Sequence, residues 1–160
     1  SFMDERIDLV WLAGIIDGEG SIYVMVNPRK GKVAADGYMR KRDNHILRVK
    51  IQSTDSVMAP EAKRITGEGA VFLHKELRKN QRDTLVWEVS GRKAARILEK
   101  LLPYLRVKQA QAKLGIEFQS LKKHWKHCEE IDYQDQARLA QDMKKLNLVG
   151  RLAPQVIYNG

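Results

Sequence analysis

Two acids, Asp17 and Glu19, close the segment Leu12-Ala13-Gly14-Ile15-Ile16-Asp17-Gly18-Glu19-Gly20, where an apolar run is interrupted by regularly spaced glycines. Ile7, Val10, Trp11, Leu12, Ile15 and Ile16 predict a helix from an N-cap at Asp4 to about Asp17, stopped by Gly18 and Gly20. Carboxylates at a helix C-terminus meet the negative end of the macrodipole and carbonyls that lack helical partners. A bound divalent cation reverses that mismatch, because Mg²⁺ takes carboxylate and carbonyl oxygens. Gly14 and Gly18, four apart, share a face without side chains and let another backbone approach closely. If that backbone is the same helix of a second subunit, two Glu19 carboxylates converge near a two-fold axis. Such a pair is placed to organise metal at two scissile phosphates, activating water and stabilising a departing oxygen.

A helix apolar on nearly all sides must be buried on nearly all sides. In a chain of 160 residues this places Trp11, Gly14, Ile15 and Gly18 in a contact with another subunit. After it the period changes to two. Ile22, Val24 and Val26 alternate with Tyr23, Met25 and Asn27, and beyond a basic loop from Pro28 to Asp43 the run Asn44–Gln52 alternates again. There Leu47, Val49 and Ile51 point one way, and Arg48, Lys50 and Gln52 the other. Two further strands are expected over Ala70–Glu76 and Arg82–Val89, joined by a turn at Lys79 and Asn80, with Trp87 in the core. A short helix over Asp55–Ile65, closed by Gly67, precedes them. Helices then follow from Arg92 to about Leu102, from about Val107 to Lys126, and over Tyr133–Leu146. The order αββαββα plus a helical tail is an α+β domain. One domain over 1–160 is expected, with a core fold to about 115 and a helical C-terminal part from about 116.

The polar sides of the strands suit a polyanion. Tyr23, Asn27, Asn44, Arg48, Lys50 and Gln52 share one sheet face; Arg and Lys read guanine edges, Asn and Gln adenine, and a two-stranded ribbon fits the major groove. Residues 29–50 hold eight basic side chains (Arg29, Lys30, Lys32, Arg40, Lys41, Arg42, Arg48, Lys50), and Lys75, Arg78, Lys79 and Arg82 lie in the second hairpin. Loops of this kind hold phosphates and fix register. The net charge of +9 favours a nucleic-acid partner. Lys122, Lys123, Lys126, Lys144 and Lys145 read as helix-surface charges.

Other chemistries find less support. Cys128 is the one cysteine, so there is no internal disulfide framework, which fits a reducing compartment. His124, His127 and Cys128 fall within one turn of an expected helix, but no fourth ligand accompanies them for zinc. No apolar run approaches the ~20 residues of a membrane span, and the acids Asp4, Glu5 and Asp8 disfavour a signal peptide. The expectation is a soluble intracellular chain, in the cytoplasm or an organelle.

The segment Leu12–Gly20 resembles the motif that gives the LAGLIDADG homing endonucleases their name, with Ile15 for Leu, Gly18 for Ala and Glu19 for the second Asp. The resemblance continues through the αββαββα order into Pro103-Tyr104-Leu105-Arg106-Val107-Lys108-Gln109, which is similar to the family's lead into its following helix, and it touches most of the first ~115 residues. It implies metal binding by Glu19, with the Gly18 carbonyl as an additional ligand, and a structural role for Asp17 near the turn. It implies that Lys108 polarises water or stabilises phosphorane charge; the alternative is an ordinary exposed helix lysine. A glutamine in the family's metal-water shell corresponds to Gln52 or Ser53, with the register pointing to Ser53. A single motif implies a homodimer with Mg²⁺ (or Mn²⁺), hydrolysing both strands of double-stranded DNA at a long, roughly palindromic site. The cuts leave 3′ overhangs, and the biological setting is intron or intein homing. Two other classes use the same fold: RNA maturases that assist splicing, and non-catalytic DNA-binding proteins.

Overall fold

The computed structural model describes residues 1–149. The first helix, α1 (Phe2–Glu19), starts and ends about two residues beyond the sequence expectation. The Ser1 hydroxyl, not Asp4, is its N-cap, accepting the Asp4 N–H at 3.3 Å, while the Ser1 amino group donates to the Asp4 carboxylate at 3.3 Å in a reciprocal box. Its other end passes straight into strand β1 (Gly20–Asn27) with no intervening loop. Gly20 makes that junction, since a Cβ there would lie 2.7 Å from the Ile16 Cα.

Strand β2 (Asn44–Ser53) pairs antiparallel with β1 in the register Tyr23↔Arg48 and Asn27↔Asn44. Helix α2 (Met58–Thr66) begins later than expected because the Asp55 carboxylate ties up the N–H groups of Val57 and Met58, at 2.7 and 2.9 Å. Gly67, at φ +68°, closes it. Strands β3 (Ala70–His74) and β4 (Thr84–Ser90) complete a sheet of order β1-β2-β4-β3, antiparallel throughout. Asn80, at φ +68°, lies in the connection between them, where a turn was expected.

Helix α3 (Gly91–Leu101) leads through a 3-10 turn, Leu102–Tyr104, into α4 (Gln109–Ser120). The chain then turns through a second 3-10 segment, Trp125–His127, into α5 (Glu130–Val149). The expected helix to Lys126 thus ends six residues early. His124, His127 and Cys128 consequently share no helical turn, and no group of three His, Cys, Asp or Glu side chains is placed to hold a metal among the described residues. The end of the expected C-terminal part, 150–160, lies outside them.

The core joins Leu12 and Ile16 of α1 to Ile22, Leu47, Val49, Ile51, Trp87 and Val89 of the sheet, with Leu98, Leu101, Phe118 and Met143 from the later helices. The Trp87 ring nitrogen donates to the Glu68 carbonyl at 2.9 Å, so the largest core side chain is also satisfied. The alternation in β2 is as expected: Leu47, Val49 and Ile51 are buried among helices, and Arg48, Lys50 and Gln52 take the opposite face. In β1 the alternation fades, and Val26 is 48% exposed where β1 runs out to the basic loop. No helix of the described residues is long and apolar enough to cross a membrane.

Candidate active site and nucleic-acid interface

Asp17 acts at a distance from its own turn. Its carboxylate accepts the backbone N–H groups of Arg106 (2.8 Å), Val107 (3.1 Å) and Lys108 (2.9 Å), and so fastens the segment that leads into α4. In return the Lys108 ammonium donates to the carbonyls of Ile16 and Asp17, both at 2.9 Å. Lys108 thereby satisfies the open carbonyl end of α1, with the charge sign that the helix dipole favours, while Asp17 holds the backbone just ahead of α4. Lys108 is therefore no ordinary exposed lysine. Burial lowers its pKa from the usual value, and the Asp17 and Glu19 carboxylates oppose that shift. Asp17→Ala should cost about 2 kcal/mol of stability, read as a lower urea midpoint with unchanged slope.

Glu19, the last residue of α1, is exposed at the end of this lock. It lines a hollow of about 630 Å³ together with Ser21, Lys50, Gln52, Thr54, Thr84 and residues of the β3–β4 hairpin, including Arg78 and Arg82. The Gln52 amide nitrogen donates to the Thr84 hydroxyl at 2.8 Å, which turns its oxygen free for water. Ser53, the residue expected at this position, takes the opposite parity: it pairs with Leu85, and its hydroxyl accepts the Asp55 N–H at 3.0 Å. The structure thus brings Gln52, not Ser53, to Glu19. A second hollow, on the other side of Lys50, holds Lys108, Asp17, Tyr23 and Ser21.

Along α1, Ile7, Val10, Trp11, Gly14 and Gly18 are exposed and Ile15 is half-buried. A Cβ added at Gly14 or Gly18 would meet nothing within 4 Å. The apolar stripe expected to contact another subunit is open in the single chain, and it ends at Glu19.

The sheet face carries Tyr23, Arg48 and Lys50 as expected, with the Lys50 ammonium 6.0 Å from the Tyr23 ring centre. Several candidates already have internal partners, however. Arg48 donates to the Ser90 hydroxyl at 3.1 Å and lies 3.9 Å from Glu88, an acid that the strand alternation gave no reason to single out. Arg40 pairs with Asp36, and Arg78 with Glu76, whose pKa falls to about 2 under hydrogen bonds from the Arg78 side chain and backbone. Arg42 pairs with Glu130 and stacks on Tyr133, 4.1 Å from the ring centre, which fastens the basic loop to α5. Arg29, Lys30, Lys50, Lys75, Lys79 and Arg82 make no ion pair among the described residues.

Lys122 is not the surface charge expected of it. Its ammonium, whose pKa is lowered by burial, donates to the Asn44 side-chain oxygen at 2.9 Å and the His45 carbonyl at 2.6 Å. Burial and that ammonium also hold the His45 imidazole below its usual pKa of 6.5. The folded chain therefore favours neutral His45, and below pH 6.5 the unfolded chain takes up the proton first. Stability should fall as the pH drops through that range. A plot of melting temperature against pH should be flatter for His45→Gln than for the parent between pH 7.5 and about 5.5.

An antiparallel sheet saddled under α1, with a lone acid where the helix gives way to the first strand, defines the LAGLIDADG homing-endonuclease fold. Solved structures share it. The homing endonuclease I-CvuI in complex with its target in the presence of 2 mM Ca has a TM-score of 0.71 and 22% identity, covering 90% of this chain and 84% of that one. The archaeal intron-encoded homing endonuclease I-Vdi141I complexed with DNA gives 0.67 and 19%, covering 89% and 85%. The I-SmaMI LAGLIDADG homing endonuclease bound to cleaved DNA gives 0.60 and 20%, covering 90% of this chain but 45% of that longer one. In sequence, the chain is 30% identical over 114 residues to the DNA endonuclease I-CvuI of Chlorella vulgaris, a match that takes in 71% of this chain and spans 64% of that relative. No family model matches. In sequence, motif and fold the chain is similar to the LAGLIDADG homing endonucleases, and it spans less than two thirds of the curated relative it matches.

Proposed function

We propose that the chain is a homodimeric, divalent-metal-dependent endonuclease that cuts both strands of a long, roughly palindromic DNA site and leaves 3′ overhangs. The observation that carries this reading is the position of Glu19: exposed, at the end of an open glycine-bearing stripe, and within the hollow lined by Gln52, Lys50 and the second hairpin. Of the two carboxylates in that hollow, Glu76 is paired with Arg78, which leaves Glu19 as the one without an ion pair among the described residues. Two chains joined along Gly14 and Gly18 bring two Glu19 side chains together near the axis, a donor set of hard oxygens that fits Mg²⁺ or Mn²⁺, with the Gly18 carbonyl beside it. That the chain corresponds to 45% of I-SmaMI supports a two-for-one relation. The I-CvuI complexes with DNA in the presence of 2 mM Ca or 2 mM Mg support divalent metal.

Bound at Glu19, the ion would supply Lewis-acid activation of water and charge neutralisation at the leaving oxygen. The protein's own groups do the rest. The Gln52 oxygen, fixed by its bond to Thr84, orients a water beside Glu19. Lys108, anchored on α1, places a positive charge in the neighbouring hollow that shares Lys50 and Ser21, where it would face charge developing on the phosphate. Tyr23, Asn27, Asn44, Arg48 and Lys50 meet base edges, and Arg29, Lys30, Lys75, Lys79 and Arg82 meet phosphates. Arg40, Arg42 and Arg78 shape the loops that carry them. The chain acts as one domain, with the part after about 115 bracing the sheet. Intron or intein homing is the setting, in line with intron-encoded I-Vdi141I.

The test is cleavage of a randomised duplex pool with Mg²⁺ or with EDTA, followed by sequencing of recovered ends. Metal-dependent cuts with a two-fold-symmetric consensus and 3′ overhangs are expected. Duplexes that are selected and bound but never cut would overturn the nuclease reading in favour of DNA binding alone, and selective retention of intron RNA instead would favour a maturase.

A further inference from the structure

Residues paired directly across antiparallel strands point their side chains to the same side of the sheet. The register therefore carries the open face of Lys50 and Gln52 onto the second hairpin. Lys50 pairs with Glu88, and Gln52 with Val86, which pairs in turn with Phe72. Val86 is buried at 1% exposure yet stands outside the core cluster, whereas Trp87 and Val89, on the helix side, belong to it. Phe72 is the exposed member of the row, at 42%. Met25 and Ile46, which also lie on this face, are half-buried, and the Met25 sulfur accepts from the Arg48 guanidinium at 3.2 Å. Phe72 thus offers bare apolar surface on the side that the proposed function lays in the major groove, two strand spacings, or about 10 Å, from Gln52. A phenyl ring carries no hydrogen-bonding group, so it matches none of the acceptors and amino groups of base edges and desolvates those it covers. Thymine alone among the four bases adds an apolar group in that groove, its C5 methyl.

We infer that Phe72 reads thymine by its methyl group at one base pair of each half-site, with Val86 beside it as apolar support. The inference rests on the DNA-binding reading above and adds to it the identity of a base and the residue that selects it. Continuity fixes the occupant: Phe72 shares a pairing row with Gln52, and Gln52 shares its face with Lys50 and the hollow of Glu19. A duplex laid along Tyr23, Arg48 and Lys50 towards that hollow passes the ring. Cytosine, the other pyrimidine, would lose the methyl and bury its amino group against the ring without a hydrogen-bond partner. A ring that only shielded Val86 from water would be indifferent to the methyl, and the two roles part there.

The experiment is selection of bound duplexes from a randomised pool, in Ca²⁺ to score binding without relying on cutting, using the full chain and Phe72→Ala. The variant should lose a thymine preference at one base pair of each half-site and keep the rest of the consensus. On the parent's best duplex that thymine is then replaced by deoxyuridine, which removes the methyl and nothing else. The parent should bind the uracil duplex about threefold more weakly per half-site, and Phe72→Ala should bind both duplexes equally. Absence of any pair that responds to Phe72→Ala overturns the inference, and so does a parent preference for another base at the responding pair. Equal sensitivity of parent and variant to uracil also overturns it, because the methyl then touches something else. Should Phe72→Ala fail to fold, each thymine of the parent's duplex is replaced in turn by uracil, and the methyl-sensitive one by 5-iododeoxyuridine. Irradiation should then cross-link it to Phe72; cross-linking only elsewhere, or no methyl-sensitive thymine, overturns the inference. Failure of the parent to select any duplex would sink the DNA-binding reading itself, which separates that failure from this one.

Discussion

Glu19→Gln is expected to lower the rate of DNA cutting by at least roughly a thousandfold while leaving target affinity within a few-fold of the parent. The substitution keeps the shape and removes the charge on which the proposed metal site depends. Glu19 is exposed and its side chain makes no hydrogen bond or ion pair within the described residues, so the fold has little stake in its carboxylate beyond its field at Lys108. Loss of a negative charge next to phosphates should, if anything, tighten DNA binding slightly. Single-turnover cleavage and gel-shift titration on one duplex would separate the two effects. Undiminished cutting by the Gln variant would place the metal elsewhere and dismantle the proposed site. A parallel loss of binding and cutting would instead assign Glu19 to recognition.

Gly14→Leu should divide folding from assembly. In the single chain the added side chain enters open space, because nothing lies within 4 Å of a Cβ at this position. Exchanging a mid-helix glycine for a good helix former adds about 1 kcal/mol to the monomer, so its thermal midpoint should hold or rise. In the proposed dimer the same side chain appears twice at the closest approach of two helices. Overpacking of about 1–3 kcal/mol on each side weakens association by at least roughly thirtyfold. Analytical ultracentrifugation at micromolar concentration should show a well-folded monomer, and cutting should disappear with the dimer. A variant that remains dimeric and active would move the subunit contact away from Gly14.

The features legible in the sequence are those with a period or a motif. Alternation marked Leu47, Val49 and Ile51 as core and Arg48, Lys50 and Gln52 as the open face, and the glycines of Leu12–Gly20 marked the stripe on α1. What stayed hidden are single bonds between residues far apart in the chain. The carboxylate of Asp17 was assigned to backbone near its own turn, but it reaches the backbone of residues 106–108, and no local pattern announces that. Lys122 looked like one helix-surface charge among many, and only the early end of α4 reveals its bond to Asn44. Which of Gln52 and Ser53 shares the face of Lys50 and the hollow of Glu19 turned on one residue of register, which the pairing with Val86 and Leu85 shows and composition does not.

The absence of a loop between α1 and β1 has a consequence for the product of the reaction. Gly20 leaves no slack: the helix proposed to join the subunits, the acid proposed to hold the ion and the strand proposed to read bases form one continuous run. In the proposed dimer, the distance between the two nicks is then a gauge set by helix-to-helix spacing, independent of the sequence recognised. Altering base preference through β1 and β2 would retarget such an enzyme without changing its stagger. Inserting a residue at Gly20 would change the stagger, or end cutting, even if every base contact survived.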